Sequence, residues 1–485
     1  MLKKILVFSS FLLSTQYSVQ AQIKIDSTFG VNGAFKSDLF SSVVSIDIQE
    51  DNKIALACSS VNGDSYFVAR VKESGVIDSS FNKIGYVKGT EIRTPRKVIA
   101  LPGNKILLMG TGYESITGGF TTRIKLICFK ENGTLDSTFG INGRVSFTGK
   151  TVEDGWDMAV GNDGKIVIAG YTNNGTNKRD YLVVRYTSDG KLDDTFNPET
   201  PGYKIFTLGD PASFQELYSV AIQSDNSIVI GGSSPVGSST SNFDVTCLRL
   251  TPMGALDTKF NGTGSYVVNK GGENIDVAED IVIQEDGKLV VLVNTGGWAY
   301  NSLFRLTTDG AIDNSFSYKG PDGIRSVESF GDGFVVRGYD FISKVSMTGT
   351  WDKSFGKDGY FSYPSGTALS AMKTKGGNVL YTGGSKSGSS VLYEASITSV
   401  NTSIENSLSK TSFNLYPNPF NDELKIQVST GRLTQVIIYD ANGIAVYSTT
   451  SNGDDITVKE LDKPGLYMVK IIDGSEVTGL KVVKR

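Results

Sequence analysis

The sequence predicts an all-β chain: seven similar units of short strands, followed by a smaller β module. Three observations carry this. Glycine supplies 55 of 485 residues, about 11% against a usual ~7%, and so marks many tight turns. A short pattern, apolar-Asp-x-x-Phe, recurs seven times. Helical periodicity is almost absent, and short apolar runs alternate with Asp-Gly and Asn-rich turns.

Taken in order, Met1 to Ala21 reads as a secretory signal peptide. Lys3 and Lys4 open it, Ile5 to Leu13 is a short apolar run, and Val19-Gln20-Ala21 offers small residues for cleavage between Ala21 and Gln22. The apolar run is far below the ~20 residues that span a bilayer, and no later stretch is long enough, so no transmembrane segment is expected. The balance of 47 basic and 51 acidic residues gives −4, which argues against a nucleic-acid partner. Three cysteines, Cys58, Cys128 and Cys247, lie in apolar runs and read as small buried strand residues, with a reactive thiol or one disulfide as the alternatives.

The absence of histidine removes Ser-His-Asp and Cys-His nucleophile pairs, imidazole metal ligation and the usual near-neutral proton shuttle. There is no Walker-type phosphate loop and no Cys-x-x-Cys pair. Carboxylates are plentiful, but none is set apart as a catalytic pair. No catalytic, cofactor-binding or metal-ligating residue is therefore nominated. A reaction is left open, with the lean towards none.

The repeat organises residues 22–400. Its motif pairs are Asp26 and Phe29, Asp78 and Phe81, Asp136 and Phe139, Asp193 and Phe196, Asp257 and Phe260, Asp313 and Phe316, and Asp352 and Phe355. Between them lie polar hairpin turns, as in Asp163-Gly164-Lys165-Ile166 and Asp286-Gly287-Lys288-Leu289. Each unit then reads as about four short strands, the pattern of a propeller blade, and seven turns imply a seven-bladed β-propeller. The first copy precedes any complete unit, and the last unit lacks its own copy. A strand from the first copy completing the last blade would close the ring and remove an exposed edge. An open β-solenoid is the other architecture.

Each motif Asp has two readings: a turn-closing acceptor of backbone N–H bonds, or a calcium or catalytic ligand. The motif Phe reads as inter-blade core, with exposed sugar-stacking rings as the alternative. A basic residue stands five positions before the repeat glycine in Arg70, Arg185, Arg249, Arg305 and Lys344, with Cys128 in that place once. It would pair with the motif Asp or form a cationic ring for an anionic ligand.

These units, with Gly-x-Asn-Gly after the motif and Asp-Gly-Lys-Ile between copies, resemble the delta-60 repeat family of bacterial secreted proteins over Ile23 to Thr398. The resemblance implies a β-propeller-like array with no established reaction.

Residues 401–412 are Asn/Ser-rich and read as a linker, and residues 413–485 lack the blade motif. The last segment resembles the C-terminal sorting domain of the type IX secretion system, of type A-like form. The resemblance rests on Tyr416-Pro417-Asn418-Pro419, Tyr439 to Gly443, Pro464-Gly465-Leu466-Tyr467 and the basic finish Lys481 to Arg485 with Lys484. It implies a small Ig-like β-sandwich read by the type IX machinery during outer-membrane transport. It further implies removal in many cases, with cargo released or fixed to surface lipopolysaccharide.

The expectation is an exported surface or secreted binding scaffold, its glycan or protein ligand on one end of the ring and no cofactor. The rivals are a carboxylate-based carbohydrate hydrolase or lyase and a purely structural surface protein.

Overall fold

The computed structural model describes residues 20–149, 152–173, 178–208, 214–236, 242–268, 275–295, 300–376, 378–400, 414–416, 419–427, 434–440, 445–452, 455–459, 461, 463–473 and 476–484. The expected signal peptide lies outside these residues except at Gln20 and Ala21, and the expected linker 401–412 lies outside them entirely. The chain divides into two compact units, Met1–Thr402 and Ser403–Arg485.

Among its described residues the first unit holds seven antiparallel, blade-like sheets and no helix. Blade 1 runs Ser42–Ile48, Ile54–Ser59, Tyr66–Val71, Tyr86–Gly89. Blade 2 runs Thr94–Leu101, Lys105–Ile116, Gly119–Phe129, Arg144–Ser146. Blade 3 runs Glu153–Val160, Ile166–Asn173, Arg179–Tyr186, Tyr203–Phe206. Blade 4 runs Glu216–Ile222, Ile228–Pro235, Phe243–Leu250, Ser265–Val268. Blade 5 has three strands, Asp276–Ile283, Leu289–Thr295 and Tyr300–Leu306. Blade 6 runs Ser326–Phe330, Gly333–Arg337, Phe341–Ser346, Phe361–Ser362.

Blade 7 is built from both ends of the repeat region. Thr367–Lys375, Val379–Lys386 and Ser389–Val400 are joined by Gln20–Ile25 and Ala34–Ser37, which both pair with Ser389–Val400. Ile23 stands opposite Ile397, and the first strand of each blade touches the first strand of the next in an unbroken cycle back to blade 1. That is the closure expected from the sequence, and it covers the edge of the last sheet.

Blade 5 departs from the expected four strands. After Phe316 the chain reads Ser317-Tyr318-Lys319-Gly320-Pro321 in place of the glycine turn. Pro321 has no N–H to give a ladder, and Lys319 instead donates its N–H to the carbonyl of Gly349 in blade 6 at 2.9 Å.

The second strand of each blade lies between neighbouring sheets and is buried on both faces. This explains near-continuous apolar runs such as Ile166 to Ala169 and Ile54 to Cys58. The hairpins entering these strands hold Asn52, Asn104 and Asn226 at φ of 65°, 55° and 64°, a conformation that asparagine tolerates.

The second unit has two sheets among its described residues. One orders Asn414–Tyr416, Leu424–Gln427 and Ile456–Val458; the other orders Ala445–Ser451, Thr434–Tyr439, Gly465–Asp473 and Glu476–Lys484. They share one core, in which Phe420, Leu424, Ile426 and Val458 meet Val436, Ile438, Val469, Ile471 and Val482. The alternating burial of Leu424–Gln427 is the mark of a sheet with one face inward.

Candidate functional site at the bulged end of the ring

The repeated motif builds a clasp between blades. The N–H of each motif aspartate donates to the carbonyl of the residue at the basic position: Asp26 to Glu394, Asp78 to Arg70, Asp136 to Cys128, Asp193 to Arg185, Asp257 to Arg249, Asp313 to Arg305 and Asp352 to Lys344, all at 2.8–3.0 Å. Each aspartate's Oδ1 then accepts the N–H two residues on, from Thr28, Ser80, Thr138, Thr195, Lys259, Ser315 and Ser354, at 2.8–3.2 Å.

Where the basic residue is arginine, the clasp reaches further. Nε of Arg70, Arg185, Arg249 and Arg305 donates to Oδ2 of Asp78, Asp193, Asp257 and Asp313 at 2.7–2.9 Å. Their Nη1 atoms donate to carbonyls in the next blade's turn, at Glu131, Pro252, Thr308 and Met347. Each guanidinium also lies over the motif phenylalanine of its own unit, 4.7–5.1 Å from the ring centroid of Phe81, Phe196, Phe260 or Phe316.

The motif phenylalanines, with Phe29, Phe139 and Phe355, are all buried. Phe196 presses on the turn of the next blade so closely that a Cβ on Gly254 would stand 2.9 Å from it, at φ +83°. Burial pushes the Asp193 carboxyl up, but bonds from Thr195 and Lys165 and the Arg185 charge outweigh it and hold its pKa at about 2.

Three units lack this arginine. Cys128 is a buried free thiol, and Asp136 is met by Lys105 at 3.4 Å. Lys344 turns to Asp332 at 2.7 Å. At the ring seam the position is Glu394, whose carboxyl is raised chiefly by burial.

Of the sorting-motif residues, Tyr416 ends a strand and is exposed, Pro419 is exposed, and Tyr467 is buried and donates to the carbonyl of Lys463 at 2.6 Å. Gly465 begins a strand, and Lys481 and Lys484 lie in the last one. Lys484 donates to the carbonyl of Leu461 and lies 5.9 Å over Phe420. Pro417, Asn418 and Gly443 lie outside the described residues.

A second repeated device faces the ring centre. The first strand of six blades carries a β-bulge, with register shifts at Val43/Ser45, Pro95/Lys97, Gly155/Asp157, Leu217/Ser219, Ala278/Asp280 and Leu369/Ala371. A bulge leaves one residue unpaired and re-aims its side chain. The bulged backbone comes so near the second strand that a Cβ on Gly384 would stand 2.0 Å from the carbonyl oxygen of Ala368.

The six unpaired residues are Val44, Arg96, Trp156, Tyr218, Glu279 and Ser370. Each stands eight positions before the second residue of its blade's polar turn, and Arg325 holds that place in blade 6. All seven line one cavity of about 710 Å³, joined by Arg93 and Arg337.

The chemistry of this mouth is one-sided. Four guanidiniums, of Arg93, Arg96, Arg325 and Arg337, face one carboxylate, Glu279, among the lining residues. Arg96 stacks on Trp156 at 3.8 Å, and Trp156 meets Tyr218 at 5.4 Å between centroids. Arg96 Nε, Trp156 Nε1 and Arg337 Nε are buried and meet no acceptor among the described residues. Arg96 is also paired with Asp154 at 3.6 Å, and Arg337 donates to the carbonyls of Leu369 at 2.9 Å and Arg325 at 3.4 Å, so the protein answers part of the donor set and the mouth keeps an excess of positive side chains. Burial raises the Glu279 carboxyl, partly offset by the Asn294 amide bonded to it at 3.0 Å, and lowers the Arg337 pKa to about 10.

Beneath the mouth a channel of about 600 Å³ is spent on holding blades together. Asp47, Asp157 and Asp280 accept N–H bonds from Ala100, Val220 and Val327 of neighbouring inner strands at 2.8–3.1 Å. Lys97 pairs with Asp157 at 2.9 Å and Lys373 with Asp47 at 3.5 Å. Among the described residues no group of three or more Asp, Glu or Cys side chains could hold a metal ion.

Sequence reasoning passed over the mouth residues because they do not repeat. The signal was available as a position, eight before the second residue of each turn, at which the seven units carry six different residue types.

Comparison with known proteins agrees with the fold. Residues 414–485 match the secretion system C-terminal sorting domain. Residues 102–139, 161–196, 223–260 and 284–316 match a β-propeller domain of unknown function, DUF5122, and each match ends at a motif phenylalanine. No curated protein sequence matches the chain.

Among solved structures the chain is similar to PorZ, a surface component of the type IX secretion system of Porphyromonas gingivalis. The identity is 10%, with 91% of this chain and 81% of that chain covered and a TM-score of 0.27. It is similar to the polysaccharide lyase Uly1 at 12% identity, 76% and 92% coverage and a TM-score of 0.43. For the Neurospora crassa Pan2 WD40 domain the values are 9%, 73% and 89%, and 0.40. The chain thus joins a β-propeller to a type IX sorting domain, which directs export across the outer membrane to the cell surface or the medium. Among the described residues no helix is long and apolar enough to cross a membrane.

Proposed function

We propose that this exported propeller is a binding scaffold that takes its ligand at the bulged end of the ring. One observation carries the reading: seven equivalent positions, one per blade, open onto a single cavity with seven side chains that follow no repeat. Packing demands would favour like residues at like positions, as they do in the clasp. A glycan and polysaccharide array probed with the full-length exported protein tests it. Binding that is lost in Arg96→Gln is the expected result. No bound glycan, and no protein captured in a mouth-dependent way, would leave a purely structural surface protein.

A carbohydrate-active enzyme is the second reading, favoured by Glu279, a mouth carboxyl raised by burial and so suited to carry a proton. It requires polymer cleavage that disappears in Glu279→Gln.

The sorting domain hands the chain to the type IX machinery, and we propose attachment to surface lipopolysaccharide as one fate after processing. Removing Phe413–Arg485 is expected to strand the protein in the periplasm, read by cell fractionation. Normal surface delivery without that segment would refute the role of the domain.

A further inference from the structure

We infer that the ligand of the ring mouth is an extended acidic sugar chain, bearing carboxylate or sulfate groups, that runs from the central cavity across Arg93 to the tip of blade 2. The inference rests on the binding-scaffold reading and gives it a ligand class. Its first support is the excess of positive side chains. Four guanidiniums line the mouth against one lining carboxylate; Arg96 also meets Asp154 at 3.6 Å and Arg337 donates to the carbonyl of Leu369, yet the Nε of each and Trp156 Nε1 have no acceptor among the described residues. A partner that brings oxygen acceptors and negative charge at several points along its length answers that excess, and arginine forks suit planar carboxylate and sulfate oxygens.

The second support is a path out of the mouth. Arg93 also lines a neighbouring pocket of about 410 Å³ with Asp64, Thr90, Tyr113, Ser115 and Phe120. That pocket exists because the hairpin of blade 2 is long: its second strand has 12 residues, where the other blades have five to eight. Near its tip Tyr113 and Phe120 are 52% and 75% exposed, and Arg93 lies 4.9 Å over the Tyr113 ring. Alternating guanidiniums and flat rings, Trp156 within and Tyr113 and Phe120 outside, match the alternation of charge and apolar ring face along an acidic polysaccharide. An acidic peptide shares the charge, but it draws affinity from apolar side-chain pockets or a free strand edge. Of the mouth lining only Val44, Pro95 and Leu369 are aliphatic.

Calorimetric titration of the full-length protein tests the inference with four probes: polygalacturonate, dextran sulfate, neutral dextran and poly-glutamate. Binding of polygalacturonate, dextran sulfate or both is expected, weakening about tenfold between low and moderate salt as exposed charges are screened. The two arms tell carboxylate from sulfate. Arg93→Gln is expected to weaken binding about three- to tenfold. Phe120→Ser, on an exposed ring whose loss leaves the fold intact, should weaken long chains and spare short oligosaccharides.

Poly-glutamate or neutral dextran bound as well as the acidic polysaccharides, and lost in Arg96→Gln, would keep the ring as a scaffold and overturn the sugar class. No salt-sensitive binding of either acidic polysaccharide would overturn the inference and leave the array to judge the wider reading. Equal effects of Phe120→Ser on long and short chains would overturn the path along blade 2.

Discussion

The clasp at the outer turns and the mouth at the ring centre are two devices repeated around one molecule, and they differ in what is conserved from blade to blade. In the clasp the side chains recur: aspartate and phenylalanine seven times and arginine four, each bonded to its own turn or to the next blade. In the mouth only the backbone recurs; the bulge returns in six blades while its residue changes each time. Repeated side chains with satisfied partners mark what every blade needs in order to pack. A repeated backbone with unlike side chains, two of which (Arg96 and Trp156) keep a buried N–H without an acceptor among the described residues, marks a place released from that need.

The sharpest way to break this contrast is to cut the clasp. Arg185 and Asp193 are nearly fully buried, so Arg185→Ala leaves a buried carboxylate with Lys165 as its remaining cation beside the bonds from Thr195. A loss of about 3–5 kcal/mol is expected in denaturant unfolding; a loss below 1 would show that the clasp is decoration.

Acid probes the same device. The Asp193 pKa is held at about 2, below its unfolded value of ~3.9, so its contribution is complete above that value and disappears as pH falls towards 2. The unfolding midpoint should therefore drop steeply between about pH 4 and 2, and the drop should be shallower in Asp193→Asn.

Nature's own variant sharpens the comparison further. Blade 2 has Cys128 where blade 1 has Arg70, so Lys105 is the cation left to Asp136, while Lys53 merely supplements Arg70 at Asp78. Lys105→Met should cost about 1–2 kcal/mol and Lys53→Met under about 0.5; equal costs would remove arginine from its place as the principal partner. The mouth is read by binding rather than by stability. Arg96→Gln gives up the stack on Trp156 and the pairing with Asp154 together with an unanswered buried Nε, and should leave stability within about 1 kcal/mol, while abolishing ligand capture on the array. A large destabilisation would return the mouth to the scaffold.

What could be read from the sequence follows the same division. Asp193 and Phe196 announce themselves because packing imposes the same residue types every unit, and the hairpin turns do so because Asn52 and Gly164 adopt left-handed backbone. Arg96, Trp156 and Tyr218 could not be read by searching for sameness, and bulges leave no residue signature of their own: valine, tryptophan and serine all occupy them. The missing fourth strand of blade 5 was visible in Pro321 but masked by the regularity of the other units. In the second unit the strand Ile456–Val458 has only three residues, too few for alternation to declare it.

The pairing of Ile23 with Ile397 also ties the two ends of the repeat together. The closing strand comes from the start of the propeller and its partner from the end, so the two meet across nearly the whole repeat. Joining strands so far apart carries a loop-closure cost, and long-range contacts of this kind slow folding. Without it the outer edge of Ser389–Val400 would be unpaired, and the seam carries Glu394 in place of a clasp arginine. The mouth is lined by residues of all seven blades, so the proposed binding needs the ring closed, and the strand Gln20–Ile25 that closes it is as much a condition of that binding as any arginine in the mouth.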